Sequence, residues 1–227
     1  MIKQLNQTGF FYRLMQYGYW FLVSNLYFSI ALLPALVILM IEWDTKNMLL
    51  WVLLYVTLLP IGPFAAALFG TMGKLMRAGY LSVTRDFFRL LKENFKSSFI
   101  LWSFQLFICI VITADLILLS GASELFISAL YVLLIMNIIM MFYLYPLLSR
   151  FCISRLEAVR TSIGLTFLKL KNTLFIMSAL AIWGASIHFF QIYAITLLIS
   201  PFFYVIMRIH KKMFEEIEGK ILEKEKR

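Results

Sequence analysis

The fold is decided by residues 48–69, MLLWVLLYVTLLPIGPFAAALF, which carry no charged side chain over 22 positions. A helix needs roughly 20 mostly apolar residues to cross the hydrocarbon core of a bilayer. Comparable stretches occupy residues 20–41, 99–119, 125–148 and 174–207. As one helix the last would reach about 51 Å, more than tilting accommodates. We therefore divide it into spans 174–188 and 191–207, with a turn near His188 to Gln191.

The overall composition agrees with a membrane protein. Hydrophobic residues make up 62% of the 227-residue chain and charged residues 15%, and the mean hydropathy is +0.87. So few charges cannot cover a water-soluble surface, which excludes a soluble globular protein and a disordered chain. We predict an all-α bundle of six transmembrane helices, with five as the alternative. Two cysteines and two histidines also argue against a disulfide framework and a metal site, so we expect no metal and no cofactor.

The distribution of basic residues supports six spans and sets the orientation. Six spans place 20 of the 21 Lys and Arg residues on one side, and only Lys46 on the other. Because cytoplasmic loops are enriched in Lys and Arg, both termini are expected in the cytoplasm. Attraction to an anionic inner leaflet explains the net charge of +9, so we predict a lipid bilayer as partner and no nucleic acid.

Residues 1–207 are predicted to form a single membrane domain, and residues 208–227 a cytoplasmic helical tail. Amphipathic helices are expected at the inner interface between spans two and three, from Thr84 to Phe95, and between spans four and five. Apolar residues recur every four positions in the tail. This pattern leaves a solvated extension, partner docking and self-association open.

Several short motifs resemble the YesL-like family of bacterial membrane proteins. They are the run from Leu59 to Phe69, the segment Asp86-Phe87-Phe88 with Asn94-Phe95, the run from Tyr145 to Phe151, and Asn25 in the first span. The resemblance covers residues 10–207. It implies a multi-pass protein of the bacterial cell membrane, often encoded near carbohydrate uptake and two-component regulatory systems. The family carries no established activity, so no catalytic residue is transferred.

The second span contains small residues and prolines that affect helix packing. Gly62, Ala66 and Gly70 are spaced by four, and such stripes let helices approach closely, either inside the bundle or in a homodimer. Pro60 and Pro63 remove backbone donors and are expected to kink or break the helix. Broken helices line substrate sites in several transporters, although proline also occurs in membrane helices for structural reasons.

Polar residues inside spans are expensive and are therefore the default binding candidates. The candidates here are Asp115, Asn137, His188, Gln191 and Asn25. Asp115, His188 and Gln191 could surround an external vestibule. The alternative is that each residue caps a helix end or binds a neighbouring backbone group.

No hydrolase, phosphate-loop or metalloprotease motif occurs in the sequence, so we expect no enzymatic activity. The favoured function is an accessory or regulatory component of bacterial carbohydrate uptake or sensing, acting with transporter or sensor-kinase subunits or as a homo-oligomer. The alternative is a small solute transporter or a substrate-binding membrane subunit. The accessory role rests mostly on the family resemblance.

Overall fold

The computed structural model describes residues 9–40, 47–119, 121, 123–151, 153–190 and 197–225. Eight helices and no strand occur in these ranges, which confirms the all-α prediction. The helices are α1 (Phe10–Leu39), α2 (Met48–Leu58), α3 (Ile61–Ala78), α4 (Val83–Leu118), α5 (Glu124–Arg150), α6 (Arg155–Leu168), α7 (Leu170–Phe190) and α8 (Ile199–Glu225).

Five helices in the described ranges are long and apolar enough to cross a membrane, and the chain is a membrane protein. They are α1, α4, α5, α7 and the unit formed by α2 together with α3, which crosses as one span. Helix α8 is not among them, because its second half is rich in charged residues. Part of the predicted sixth span, residues 191–196, lies outside the described residues.

The unit of α2 and α3 is interrupted at Pro60, as predicted. Helix α2 ends at Leu58 and α3 begins at Ile61. Pro63 lies in the first turn of α3, where a missing backbone N–H leaves no hydrogen bond unmade. At the other end, Gly79 adopts a left-handed conformation with φ of 69° and ends α3 before the turn into α4.

Helix α4 extends beyond the predicted span. The amphipathic segment from Thr84 to Phe95 is helical, but it continues directly into residues 99–118 as one helix of 36 residues. This helix is about 54 Å long. The segment is therefore the inner end of a membrane helix, whereas α6 is a separate helix between α5 and α7.

Helices α7 and α8 form an antiparallel pair. Lys169 at the start of α7 contacts Glu216, and Trp183 stacks on Phe202. Helix α7 continues through Phe190, so residues 188–190 of the predicted turn are helical, and Gln191 lies outside the described residues. Antiparallel packing of α1 on α8, with Asn25 near Ser200 and Tyr17 near Tyr204, directs the start of α1 and the end of α8 toward the same end of the bundle.

The tail packs back on the bundle instead of extending freely into solvent. Residues 208–225 continue α8 without a break. Met213 and Phe214 are buried, and the Phe214 ring contacts Phe151 at 5.7 Å. Glu216 pairs with Lys169, which links the tail to the start of α7. The apolar side chains of Met213 and Phe214 are thus covered by the chain itself.

Burial divides the bundle into two regions. We call α3, residues 83–98 of α4, residues 139–150 of α5 and residues 199–218 of α8 the packed half. Residues 65–69 of this half are completely buried. We call α2, residues 99–118 of α4, residues 124–138 of α5 and residues 177–190 of α7 the outer half. Most of its apolar side chains are exposed, as expected of a surface that contacts lipid tails.

Candidate functional site

The packed half contains a buried ion pair between α3 and α4. Lys74 Nζ lies 2.6 Å from Asp86 Oδ1, and the Asp86 side chain is only 4% exposed. Arg89 approaches the same oxygen at 3.5 Å, while the Ser82 backbone N–H donates to Asp86 Oδ2 at 3.1 Å. Asp86 therefore neutralises a cation from α3 and holds the first turn of α4 in place.

A second charged contact joins the end of α5 to the tail. Arg150 Nε donates to Glu218 Oε1 at 2.7 Å, and the guanidinium lies 5.0 Å from the centre of the Phe214 ring. The bond from Arg150 holds the pKa of Glu218 below its usual range. Arg150 Nη1 is buried and has no hydrogen-bond partner among the described residues. This contact fixes the tail against the bundle.

His210 forms a third link between α8 and α5. Its Nε2 lies 2.9 Å from the Phe142 carbonyl oxygen, to which it donates when that nitrogen carries the proton. The residue is fully buried, and burial lowers the pKa of His210 to about 4. Beside it, the Tyr143 hydroxyl lies 2.8 Å from the hydroxyl of Thr173 in α7. His210 is therefore neutral near pH 7 and acts as a hydrogen-bonding link.

The predicted candidate Asn25 binds the beginning of α8. Its Nδ2 donates to the Leu197 carbonyl at 2.6 Å, and its Oδ1 accepts from the Ser200 backbone N–H at 2.7 Å. Asn25 thus satisfies a donor and an acceptor that the chain would otherwise bury unpaired in this region. Ser24 precedes Asn25 in the chain, and Ser200 provides the N–H that Asn25 binds. The hydroxyls of both serines are buried and have no hydrogen-bond partner among the described residues.

The predicted candidate Asn137 joins α5 to α4. Gln105 Nε2 donates to the Asn137 carbonyl at 2.7 Å, and Asn137 Nδ2 donates to the Gln105 carbonyl at 3.2 Å and lies 3.2 Å from Cys109 Sγ. The Tyr145 hydroxyl donates to Gln105 Oε1 at 3.2 Å. These polar groups bind one another, so the cluster holds two membrane helices together.

The proposed external vestibule is not supported by any described contact. Asp115 lies one turn from the outer end of α4 and is half-buried. His188 is exposed in the last turn of α7, where its ring meets Phe189 edge-on at 5.5 Å. No hydrogen bond or ion pair joins Asp115 to His188 within the described part of the chain. Gln191 lies outside the described residues.

The small residues of α3 pack inside the chain. A Cβ atom at Gly62 would overlap the Trp102 side chain, and one at Gly70 would lie 3.1 Å from Leu90 and 3.3 Å from Ser149. Ala66 is fully buried. The Trp102 indole N–H also donates to the Leu58 carbonyl at 2.8 Å, next to the break at Pro60. The stripe therefore brings α3 close to α4 and α5.

The exposed side of inner α4 is strongly basic. Arg85, Arg89, Lys92 and Lys96 are exposed there, and Glu93 lies 3.8 Å from Arg89. Asp86 and Phe87 on the opposite side are buried. A cationic helix face can bind an acidic surface, and this one is held in place because the opposite side of the helix is buried. This face is therefore the candidate contact site. Among the described residues, no group of three His, Cys, Asp or Glu is arranged to hold a metal ion.

Sequence reasoning missed four residues that link the helices. Gln105 was detectable as a polar residue in the middle of an apolar stretch, and Asp86 follows Ser82 by four positions at a helix start. Arg150 was recognised as a loop cation and as part of the run from Tyr145 to Phe151, and His210 only as part of the tail. Their roles depend on neighbours 68 residues away, which no local pattern contains.

Comparison with known proteins gives one match. Residues 46–116 match the model of a family described as "Protein of unknown function, DUF624". The matched region contains α2, α3 and nearly all of α4, and therefore the Pro60 break and the buried Lys74–Asp86 pair. No curated protein and no solved structure matches the chain. The chain is thus similar in about a third of its length to a family of unknown function.

Proposed function

We propose that the protein is a non-enzymatic component of the bacterial cell membrane that assists or regulates carbohydrate uptake or sensing. The observation that carries the non-transporting part of the proposal is the pairing of Asn137 with Gln105 and of Asn25 with the start of α8. Polar groups that bind one another hold helices together and are not free to bind a solute. The link to carbohydrates rests on the resemblance to the YesL-like family.

The basic side of α4 supports contact with a partner inside the cell. Four cations lie within 12 residues on a helix whose other side is fixed by the buried Lys74–Asp86 pair. A transporter or sensor-kinase subunit that contacts this face needs acidic residues on its cytoplasmic surface. Exposed cations of this kind affect association rate and choice of partner more than the stability of the bundle itself.

Reconstitution tests the non-transporting role. Proteoliposomes that contain only this protein are expected to show no counterflow of labelled mono- or disaccharides above empty liposomes. Saturable counterflow would instead establish the alternative function, a small solute transporter, and refute the accessory role.

Purification from native membranes tests the contact site. Subunits of a carbohydrate transporter or a sensor kinase, identified by mass spectrometry, are expected to co-purify with the wild-type protein. The α4 triple variant, Arg85→Gln with Lys92→Gln and Lys96→Gln, should lose them. The α7–α8 triple variant, Lys171→Gln with Arg208→Gln and Lys212→Gln, removes the same number and types of cation at another exposed site and should retain them. Equal recovery from both variants would refute the α4 contact.

A further inference from the structure

A groove with an unusual combination of side chains lies between the start of α7 and the middle of α8. Its volume is about 540 Å³. One part of its lining is basic, with Lys169, Lys171, Arg208 and Lys212, and another part is apolar, with Phe175 and Val205. The chain thus builds cationic and hydrocarbon surfaces into a single site.

The cations of this groove outnumber its acidic groups. Lys169 Nζ is paired with Glu216 Oε2 at 2.6 Å. Lys171, Arg208 and Lys212 are exposed, and none of them forms an ion pair with another described residue. Three uncompensated cations around one cavity repel each other, and an anion between them removes this repulsion. A phosphate group satisfies such a site because its oxygens accept hydrogen bonds from several donors.

The polarity of the groove changes with depth in the membrane. Lys169 is level with Glu216, and Trp183 is level with Phe202, so depth can be followed along both helices. Phe175 lies about 9 Å beyond Lys169 in chain direction, and Val205 lies about 16 Å before Glu216 in α8, so both are on the same side of the Lys169–Glu216 contact. The basic end therefore faces the inner interface, while the apolar wall extends toward the hydrocarbon core.

The apolar wall is accessible to a ligand. Phe175 is 52% exposed and Val205 is 46% exposed. Arg208 lies about 12 Å from Glu216 and is therefore level with the apolar wall, and its long side chain can extend its guanidinium toward the interface while its stem lines the groove. A soluble phosphate would use only the basic end. A molecule with a phosphate and an acyl chain would use both parts.

We propose that this groove binds one anionic phospholipid of the inner leaflet, with its phosphate between Lys171, Arg208 and Lys212 and an acyl chain along Phe175 and Val205. This site lies on different helices from the proposed α4 contact and does not depend on the carbohydrate-related function. It differs from general attraction to an anionic surface because it has defined lining residues and holds a single lipid molecule.

Lipid retention by the purified protein tests the site. In detergent, native mass spectrometry is expected to detect one retained phosphatidylglycerol per chain and little phosphatidylcholine. The α7–α8 triple variant should bind phosphatidylglycerol with an affinity lower by at least about tenfold, since each cation near a lipid surface contributes substantially to attraction. The α4 triple variant should remain within about twofold of wild type because its removed cations do not line this groove. Equal losses in the two variants, or no preference for phosphatidylglycerol, would overturn the proposal.

Two further measurements distinguish a lipid from a soluble phosphate. Glycerol 1-phosphate, which has the phosphate but no acyl chain, should fail to displace phosphatidylglycerol at millimolar concentration. Val205→Thr, which keeps the side-chain shape but adds a hydroxyl, should weaken lipid binding. Displacement by glycerol 1-phosphate with no effect of Val205→Thr would assign the groove to a soluble anion instead.

Photocrosslinking places the lipid without altering the protein. Phosphatidylglycerol with a diazirine on its acyl chain is expected to label wild-type peptides that contain residues 169–177 or 202–213. Labelling confined to other helices would overturn the assignment. Because no substitution is involved, this result does not depend on the folding of any variant.

Discussion

The packed half and the outer half pack the same kind of apolar side chain very differently. Phe69 in the packed half is completely buried and stacks on Phe203 at 4.2 Å, whereas Phe107 in the outer half is 56% exposed. In lipid, apolar side chains gain little from contacting one another instead of acyl chains, so helices associate through close packing and polar bonds. The three glycines that pack closely against other side chains, Gly62, Gly70 and Gly73, lie in the packed half, and so does the Lys74–Asp86 pair. The difference teaches that a phenylalanine is buried or exposed according to the helices around it, and that close packing and polar contacts mark where this bundle is held together.

The largest expected difference between the halves comes from truncating one phenylalanine in each. Phe69→Ala removes a buried ring that contacts Phe142 and Phe203, and should lower the free energy of unfolding by about 3 kcal/mol. Phe107→Ala is the matched control on the lipid-facing surface and should cost less than about 1 kcal/mol. Denaturant unfolding in mild detergent measures both values. Equal costs would show that the outer half is as tightly packed as the inner one.

The buried ion pair gives the next largest effect. Asp86→Asn leaves Lys74 without its charge partner and should destabilise the protein by about 2 kcal/mol, less than for a fully buried pair because Lys74 is partly exposed. Glu93→Gln, on the exposed side of the same helix, should change stability by less than about 0.5 kcal/mol. The same unfolding assay compares the two variants. An unchanged free energy of unfolding in Asp86→Asn would show that this pair does not stabilise the packed half.

Acidification should weaken the packed half through His210. The pKa is about 4 in the folded protein and near 6.5 in an unfolded chain, so the unfolded state binds the proton first as the pH falls. The stabilising contribution is therefore complete above pH 6.5 and is lost on acidification toward pH 4. At pH 5 the loss is about 2 kcal/mol.

Thermal unfolding from pH 7.5 to pH 5 measures this loss. His210→Gln cannot titrate in this range and should show a smaller change over the interval. His188→Gln removes the exposed histidine in the outer half and should behave like wild type. A wild-type pH dependence that persists in His210→Gln would assign it to other groups.

The smallest expected effect concerns the polar cluster between α4 and α5. A double-mutant cycle with Gln105→Met and Asn137→Leu should give a coupling energy of about 0.6 kcal/mol, the average for polar contacts between membrane helices. Unfolding of the two single variants and the double variant provides the cycle. Additive effects would mean that Gln105 and Asn137 stabilise the bundle independently, and the cluster would no longer count as a helix–helix contact.

Hydropathy predicted most of the fold because bilayer thickness imposes a minimum length on every span. The break at Pro60 was also predictable, since the pyrrolidine ring excludes a backbone hydrogen bond wherever it occurs. The continuity of α4 was not. Lys96 ends the apolar stretch, but a charged residue does not interrupt helical hydrogen bonding, and the helix passes through it into the span.

The candidate site was predictable only one residue at a time. Asn25 and Asn137 were recognised because an amide inside an apolar span needs a partner. Their partners were not, because Ser200 is 175 residues from Asn25 and Gln105 is 32 residues from Asn137. Asp115 was chosen for its charge, but its half-exposed position near a helix end relieves the need for a partner. The type of a side chain shows that it needs a contact, while the fold determines which group supplies that contact.

The bond between Asn25 and α8 has a consequence for synthesis. The asparagine emerges early from the ribosome, whereas its partner Leu197 follows 172 residues later. At about 5–20 residues per second, the amide waits roughly 9–35 s before that carbonyl is made. During this interval the nascent chain carries an unsatisfied amide in its first apolar segment. The bundle can therefore close around α1 only after residues 197–200 have been made, and a chain released before residue 200 lacks the segment that binds Asn25.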